Sequence, residues 1–170
     1  MLFRSLNPFD LSKLPASVRL ATSSVRRNPS APSSVHKTLS YSDAVFAARE
    51  VAGRADDALM LNTQGHVACT TIANIFLLEG KALITPALDQ GILAGTARGL
   101  LIDGAGEIGL GVQERAVAAA EIPAADAVFL TNALRLATFV SSVDGKNCGN
   151  RDIGFINAFL ERNQIGRAHV

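Results

Sequence analysis

The hydrophobic positions of this chain fall mostly into short runs in which apolar and β-branched residues alternate or cluster. Such runs are typical of strands that pack one or both faces against a core. The first runs from Val18 to Arg27 and is β-branched and partly alternating. The further strands predicted from the pattern are Ala58–Leu61, His66–Cys69, Asn74–Leu78, Ala82–Ile84, Val112–Ala116, Ala127–Thr131 and Ala137–Val143.

Apolar residues also recur at helical spacing in a few segments. Ser40 is a candidate N-cap for a helix that ends near Ala52. Further helices are predicted from Gly95 to about Ile108 and over Ile153–Arg162, and Asn28–Ser34 is predicted as a loop by its composition. Strands outnumber helices without a regular βαβ alternation, which favours a mixed α+β domain over a doubly wound nucleotide-binding fold.

Composition narrows the class of protein further. The chain has 170 residues, 48% of them hydrophobic, and a mean hydropathy of +0.24, which is typical of a folded domain. A net charge of +1 and 5% aromatic residues argue against nucleic acid or an anionic membrane as partner. Cys69 and Cys148 have neither metal-ligand nor disulfide spacing, and no apolar run approaches the roughly 20 residues of a membrane span. We therefore expect a cytoplasmic protein that binds no metal, membrane or nucleic acid.

Three blocks of residues carry more information than composition does. The first contains Lys37-Thr38-Leu39, the second runs from Gly65 to Leu77, and the third is Leu93–Arg98. In this order they resemble the class IV pyridoxal-phosphate (PLP) enzymes, which include branched-chain and D-amino-acid aminotransferases and aminodeoxychorismate lyase. The resemblance covers roughly residues 18–144. It implies the large C-terminal domain of fold type IV, the D-amino-acid-aminotransferase-like α+β fold of mixed strands with central helices.

Lys37 is the catalytic residue that the resemblance implies, because the family lysine of this block carries PLP as a Schiff base. A lysine with this role must lose its proton to attack an aldehyde, which burial or a nearby cation favours. Its apolar neighbours Val35 and Leu39 are compatible with partial burial. Tyr41, the chain's single tyrosine, is implied to bind the phenolic oxygen of PLP, and the alternative is a tyrosine of the hydrophobic core.

Two turns are candidates for binding anions. Gly95, Thr96 and Ala97 begin a predicted helix, whose unpaired amides and positive dipole end suit a phosphate, and the family turn at this place holds the cofactor phosphate. The resemblance matches Thr131-Asn132-Ala133-Leu134 to the turn that flanks the phosphate and the substrate carboxylate, with Ala133 and Leu134 as the cofactor contacts. Ala133 lacks the hydroxyl that many relatives have there, so the expected donors are the backbone amides of both residues.

Cys69 stands where the resemblance has a glutamate beside the pyridine nitrogen of PLP. The family carboxylate keeps that nitrogen protonated, and the protonated ring draws electrons from the substrate. A neutral thiol is a weak hydrogen-bond donor and cannot take over this role of a charge. The hydroxyls of Thr70 or Thr71 are alternative partners for the nitrogen, although neither can protonate it. Cys69 is therefore a predicted cofactor contact with altered chemistry.

The resemblance implies transamination between an amino acid and a 2-oxo acid, with Lys37 as the base and acid that moves the proton. The alternative within the family is aminodeoxychorismate lyase, which forms 4-aminobenzoate and pyruvate and is favoured by Lys37-Thr38-Leu39 and Asn132-Ala133-Leu134. An alternative of another class is a catalytically inactive fragment of the fold, because Cys69 replaces the glutamate.

Three other polar side chains are weaker candidates for chemistry. His36 and His66 are alternative acid–base groups. Strand geometry would turn His36 away from Lys37, and His66 is expected to be exposed at the start of a hairpin. Arg98 is expected to have a structural role, in which it pairs with carboxylates or with the backbone.

The two ends of the chain are expected to lie outside the domain. Residues 1–5 and 165–170 resemble translated sequencing-library adapters, and residues 1–16 are interpreted as a leader. The PLP-binding domain is predicted at residues 17–164. The resemblance implies that a small N-terminal domain normally precedes it. It also implies that the full-length protein is a homodimer with its active site between domains and subunits.

Overall fold

The computed structural model describes residues 15–163, and within them nine strands form one mixed sheet. The predictions made for residues 1–14 and 164–170, including both adapter-derived ends, lie outside the described residues. The strands are β1 (Ser17–Arg27), β2 (Asp57–Asn62), β3 (Val67–Thr70), β4 (Asn74–Glu79), β5 (Ala82–Pro86), β6 (Gly111–Arg115), β7 (Ala127–Asn132), β8 (Leu136–Val143) and β9 (Lys146–Asn147). The helices are α1 (Pro32–Val35), α2 (Ser42–Val51), α3 (Thr96–Gly104) and α4 (Gly154–Asn163).

The sheet combines local hairpins with long crossovers. Its order is β3-β2-β1-β8-β7-β4-β5-β6, and β9 pairs with β8. β1 runs parallel to both β2 and β8, and β5 runs parallel to β6. The other neighbouring pairs are antiparallel. This arrangement confirms the predicted α+β class, because a doubly wound fold would have a regular parallel order.

The sheet curls around one apolar cluster and carries helices on its other face. Leu59 near one end of the sheet and Ile84 near the other belong to the same buried cluster. On the opposite face, Phe76 of β4 and Phe129 of β7 pack with Leu101 of α3, and α4 lies beside α3. α2 packs on β1 and β2. Because side chains alternate along a strand, alternate positions of β4 and β7 face α3.

The predicted strands are confirmed with boundary shifts of one or two residues. Asp144 and Gly145 form a turn, with φ of 50° and 75° at the two residues. Positive φ at both central positions is what a two-residue type I′ hairpin requires, and this turn joins β8 to β9. Among the helices between residues 15 and 163, none is long and apolar enough to cross a membrane.

The start of α2 was predicted wrongly. The helix begins at Ser42, with Tyr41 rather than Ser40 at its N-cap. The backbone amide of Ser40 donates to the hydroxyl oxygen of Thr38 at 3.2 Å, and the amide of Tyr41 donates to the carbonyl of Leu39 at 3.0 Å. These contacts hold Ser40 in the turn before the helix, where it cannot act as the cap.

Two further boundaries differ from the predictions. α3 ends at Gly104, and residues 105–108 form a 3-10 turn instead of continuing the helix. The low helix propensity of Gly104 and Gly106 accounts for this early end. The segment predicted as a loop contains the short helix α1, which has Pro32 in its first turn, where the fixed φ of proline suits a helix.

Candidate active site

A cavity of about 470 Å³ lies where the turn before α2, strand β3 and the first turn of α3 meet. Its wall includes most of the predicted site residues, namely Lys37, Tyr41, Cys69, Gly95, Thr96, Ala97 and Ala133. Leu134 is not among the described residues that line it. The structure therefore brings together groups that are up to 96 positions apart in the sequence, from 37 to 133.

A second cavity, of about 660 Å³, lies on the other side of the Thr71–Ala73 turn. Asp56, Asp57 and Arg135 provide its charged groups. Its wall contains none of the predicted site residues, although it shares the Thr71–Ala73 turn with the smaller cavity. The smaller cavity is therefore the candidate active site, because it contains the predicted site residues and the larger one does not.

Lys37 lies in the extended connection between α1 and α2, one helical turn before Tyr41. Its ammonium nitrogen Nζ donates to the Tyr41 hydroxyl at 3.3 Å. The side chain is exposed, so the partial burial suggested by Val35 and Leu39 is wrong for this structure. Tyr41 is 46% exposed and lies at the cavity wall, not in the core. The contact between the two side chains holds the amine at the mouth of the cavity.

His36 also lines this cavity, together with Lys37. The strand on which the opposite orientation of the two side chains was based is absent, because residues 36 and 37 lie in the connection between α1 and α2. His66 is partly buried, contrary to the prediction, and its ring Nδ1 lies 3.2 Å from Oε1 of Gln90. Of the two histidines, only His36 is therefore close to the candidate site.

The N-terminus of α3 is held by a clamp from strand β4. Gly95 is the N-cap, and its own amide donates to the carbonyl of Leu93 at 2.9 Å. The Asn74 side chain donates from Nδ2 to the same carbonyl, also at 2.9 Å. A Cβ atom at position 95 would lie 2.3 Å from Asn74 Oδ1. The first-turn amides of α3 have no acceptor within the helix, and the residues that carry them line the cavity.

Cys69 lies in β3, opposite Met60 of β2, and is half-buried at the cavity wall. Burial raises the pKa of its thiol to about 11, and the charge of Asp57 acts in the same direction. The positive charge of Arg27, which also lines the cavity, lowers the pKa of the thiol but does not compensate for burial. Cys69 is therefore a neutral thiol at physiological pH.

The turn after β7 is organised by the side chain of Asn132. Its Oδ1 accepts the backbone amides of Leu134 at 3.0 Å and Arg135 at 2.8 Å. The amide of Leu134 therefore already donates a hydrogen bond within the turn. The side chain of Leu134 is 65% exposed. Ala133, in contrast, lies at the cavity wall.

Three buried polar side-chain atoms lack a hydrogen-bond partner within the described part of the chain. They are Ser34 Oγ, Arg98 Nε and Thr131 Oγ1, and all three residues line this one cavity. Arg98 otherwise has the predicted structural role, since its Nη2 donates to the Pro86 carbonyl at 2.9 Å and to Glu114 Oε2 at 2.6 Å. Ser34 was not predicted as a site residue, and Thr131 was predicted only as part of the turn that flanks the phosphate. A small polar residue at the end of an apolar strand was the available signal for Thr131.

Comparison with known proteins decides which family this fold and cavity represent. A family model described as amino-transferase class IV matches residues 2–143, which is most of the chain. This chain belongs to the class IV aminotransferase family. The enzymes of this family use PLP, and the predicted family and its fold type IV are therefore confirmed.

Relatives of this class IV chain carry both of the predicted activities in their names. A probable branched-chain-amino-acid aminotransferase of Aquifex aeolicus is 35% identical over 164 residues, which cover 94% of this chain and 52% of that protein. The aminodeoxychorismate lyase of Bacillus subtilis is 30% identical over 129 residues, 75% of this chain and 44% of that protein. The chain thus spans about half the length of these curated relatives.

Solved structures show the same relationship. The branched-chain amino acid aminotransferase of Thermobaculum terrenum in its PLP-form is 30% identical, with a TM-score of 0.79 over 89% of this chain and 51% of that one. The branched-chain aminotransferase of Thermoproteus uzoniensis is 32% identical, with a TM-score of 0.78 over 86% of this chain and 50% of that one.

The residues of this class IV chain fit PLP at two of three points. Lys37 offers an amine, and the first turn of α3 offers amides for the phosphate next to two buried donors that lack partners. A volume of about 470 Å³ is within the usual range of small-molecule sites. The third point is the ring nitrogen, for which Cys69 offers a neutral thiol instead of a carboxylate.

Proposed function

We propose that this domain binds PLP through Lys37 and serves transamination between an amino acid and a 2-oxo acid. The observation that supports this most is that the Lys37 amine and the amides of the α3 N-terminus line one cavity. The relatives named as branched-chain aminotransferases add support for the reaction and for branched-chain substrates. In the full-length protein we expect a cytoplasmic homodimer, as the family resemblance implies.

Each residue has a physical task in this proposal. PLP, when bound, supplies an aldehyde for the amine and a ring that draws electrons from the substrate carbon. Lys37 Nζ would hold the aldehyde of the cofactor and would act as the base and acid that moves the proton at the substrate Cα. The Tyr41 hydroxyl orients Nζ, and the amides of Thr96 and Ala97 bind the phosphate.

A second candidate is the lyase reaction on aminodeoxychorismate, which would use the same lysine. The Bacillus subtilis relative and the sequence Asn132-Ala133-Leu134 support it. Two assays separate the candidates: exchange between an amino acid and 2-oxoglutarate, and release of 4-aminobenzoate from aminodeoxychorismate.

A third candidate is a domain that keeps the fold without turnover, because of Cys69. Activity gained only after Cys69→Glu in a full-length chain would support it, and activity with Cys69 in place would exclude it.

A reductive trap tests the proposed cofactor site. The chain is incubated with PLP and reduced with borohydride, and the modified lysine is located by peptide mass spectrometry. We expect the pyridoxyl group on Lys37 and its loss in Lys37→Ala. Lys81→Ala is the matched control, because Lys81 is an exposed lysine outside the cavity lining. Labelling spread evenly over Lys81 and the other lysines would contradict the proposal.

A further inference from the structure

Thr131 presents a buried hydroxyl that the fold itself does not use. The residue is 1% exposed, and its Oγ1 has no hydrogen-bond partner among residues 15–163. A buried hydroxyl without a partner destabilises a protein, so such groups are rare unless a ligand satisfies them. Thr131 lines the candidate active site, which makes a bound ligand the natural partner.

The sheet register places this hydroxyl beneath the N-terminus of α3. Thr131 of β7 is directly opposite Asn74 of β4 in the antiparallel pair. Phe129 and Phe76, two positions away on each strand, belong to the cluster that packs against α3, so Thr131 and Asn74 face the same side. Asn74 Oδ1 in turn contacts Gly95 at the helix N-cap. Directly opposite side chains lie within contact of one another, so Thr131 is next to this N-cap.

Apart from Asn74 Oδ1, the groups around this point are donors. The first-turn amides of α3 can only donate, and so can Arg98 Nε, which is a second buried atom without a partner. The side chain of Arg98 is 5% exposed, and its charge is shared with Glu114. A ligand atom that satisfies several donors at a helix N-terminus must be an acceptor, and an oxyanion suits it best.

We propose that the Thr131 hydroxyl donates a hydrogen bond to the phosphate bound at the α3 N-terminus. It thereby supplies a hydroxyl contact that the side chain of Ala133 cannot provide. The inference rests on the proposed function, since it assigns a further residue of this chain to the phosphate of PLP. It also gives a partner to the buried hydroxyl at the end of β7.

Thr131→Val tests this assignment, because valine has the same shape without the hydroxyl. We expect the affinity for PLP to fall roughly tenfold to hundredfold, as for a lost hydrogen bond to a charged group. Affinity for pyridoxal, which lacks the phosphate, should stay unchanged. The ligand-free variant should be as stable as the wild type or more stable, because the fold loses no bond. Absorbance titrations with each aldehyde and denaturant unfolding give these values.

Thr85→Val is the matched control. Thr85 is also fully buried, but its Oγ1 donates to the Ile75 carbonyl at 2.9 Å and the residue lies outside the cavity lining. We expect this variant to lose stability and to keep its affinity for PLP. Comparing the two variants thus distinguishes a hydroxyl that stabilises the fold from one that binds a ligand.

The outcomes distinguish failure of the inference from failure of the proposed function. Unchanged PLP affinity in Thr131→Val, with Lys37 labelled in the trap, overturns the inference alone. No labelling of Lys37, with inorganic phosphate raising the unfolding free energy of the wild type but not of Thr131→Val, overturns the proposed function and keeps the anion contact. Absence of both effects overturns both. A loss of stability in ligand-free Thr131→Val would also contradict the inference, since it would show a structural partner.

Discussion

Gly95→Ala is a small substitution at the point where β4 holds the start of α3. The added Cβ would lie 2.3 Å from Asn74 Oδ1, whereas ordinary van der Waals contacts of a Cβ are 3.4–4 Å. The backbone at Gly95 has φ −69° and ψ 142°, an extended conformation that alanine adopts freely. Any destabilisation must therefore come from the collision with Asn74 and not from backbone strain.

The size of the destabilisation follows from the hydrogen bond that Asn74 would lose. Its side chain is fixed by the bond from Nδ2 to the Leu93 carbonyl at 2.9 Å, and the residue is 7% exposed. Moving it by about 1 Å breaks that bond and leaves a buried polar group unpaired, which costs about 1–3 kcal/mol. Alanine also restricts the unfolded chain, which returns about 0.4–1 kcal/mol. The expected net loss in the free energy of unfolding is about 1–2 kcal/mol.

A double-mutant cycle with Asn74→Ala measures this coupling by denaturant unfolding. Asn74→Ala removes both the bond and the collision, so adding Gly95→Ala to it should cost no stability and should gain only the roughly 0.4–1 kcal/mol that alanine returns. Gly99→Ala is the control, because Gly99 lies within α3 and has no atom within 4 Å of an added Cβ. We expect it to gain about 0.5–1 kcal/mol. Additive effects of Gly95→Ala and Asn74→Ala would refute the reasoning, and so would a gain in Gly95→Ala equal to that in Gly99→Ala.

Two further predictions concern pH. The folded pKa of Cys69 is raised to about 11 from 9.0, so its contribution to stability is complete below pH 9 and is lost as pH rises to about 11. The free energy of unfolding of Cys69→Ala should decrease less steeply with pH over this range than that of the wild type. Equal slopes for the two proteins would contradict the prediction. Hydrogen bonding to Arg115 lowers the pKa of Glu121. The contribution of Glu121 to stability is therefore present above its ordinary pKa and is lost on acidification. In Glu121→Gln, the loss of unfolding free energy on acidification should be smaller by less than about 1 kcal/mol, since the pair is about one-third exposed. An unchanged loss at acid pH would refute this prediction.

The strands could be predicted because their signals are local. Alternating apolar residues mark each run, and residues such as Asp144 and Gly145 mark where the chain turns. The cap of α2 was predicted wrongly for an equally local reason, since the Thr38 hydroxyl accepts the amide of Ser40 within the turn that precedes the helix. A sequence pattern indicates which residues can cap a helix, but not which of several neighbouring hydrogen bonds is formed.

The parts that could not be predicted depend on long-range pairing. β1 lies between β2 and β8, although β8 begins more than a hundred positions after β1 ends. The same pairing brings Thr131 opposite Asn74. The family resemblance identified Lys37 and Gly95 because both belong to short blocks. It also placed Thr131 in the turn that flanks the phosphate, but it did not indicate that this residue lies opposite Asn74, which depends on a strand register that no local pattern determines.

The difference at Cys69 is one of chemistry and not of fold. Its backbone pairs with Met60 in the sheet as any residue of β3 would, so the family fold forms without a glutamate there. Arg27 favours a negative charge at this position, while burial and Asp57 oppose one, and the outcome is a neutral thiol. A glutamate introduced here would have the same cation nearby and could carry the charge that sulfur does not. Activity with Cys69 in place would therefore mean that the reaction proceeds without a charged partner for the ring nitrogen. Activity gained on Cys69→Glu would attribute the defect to this single side chain.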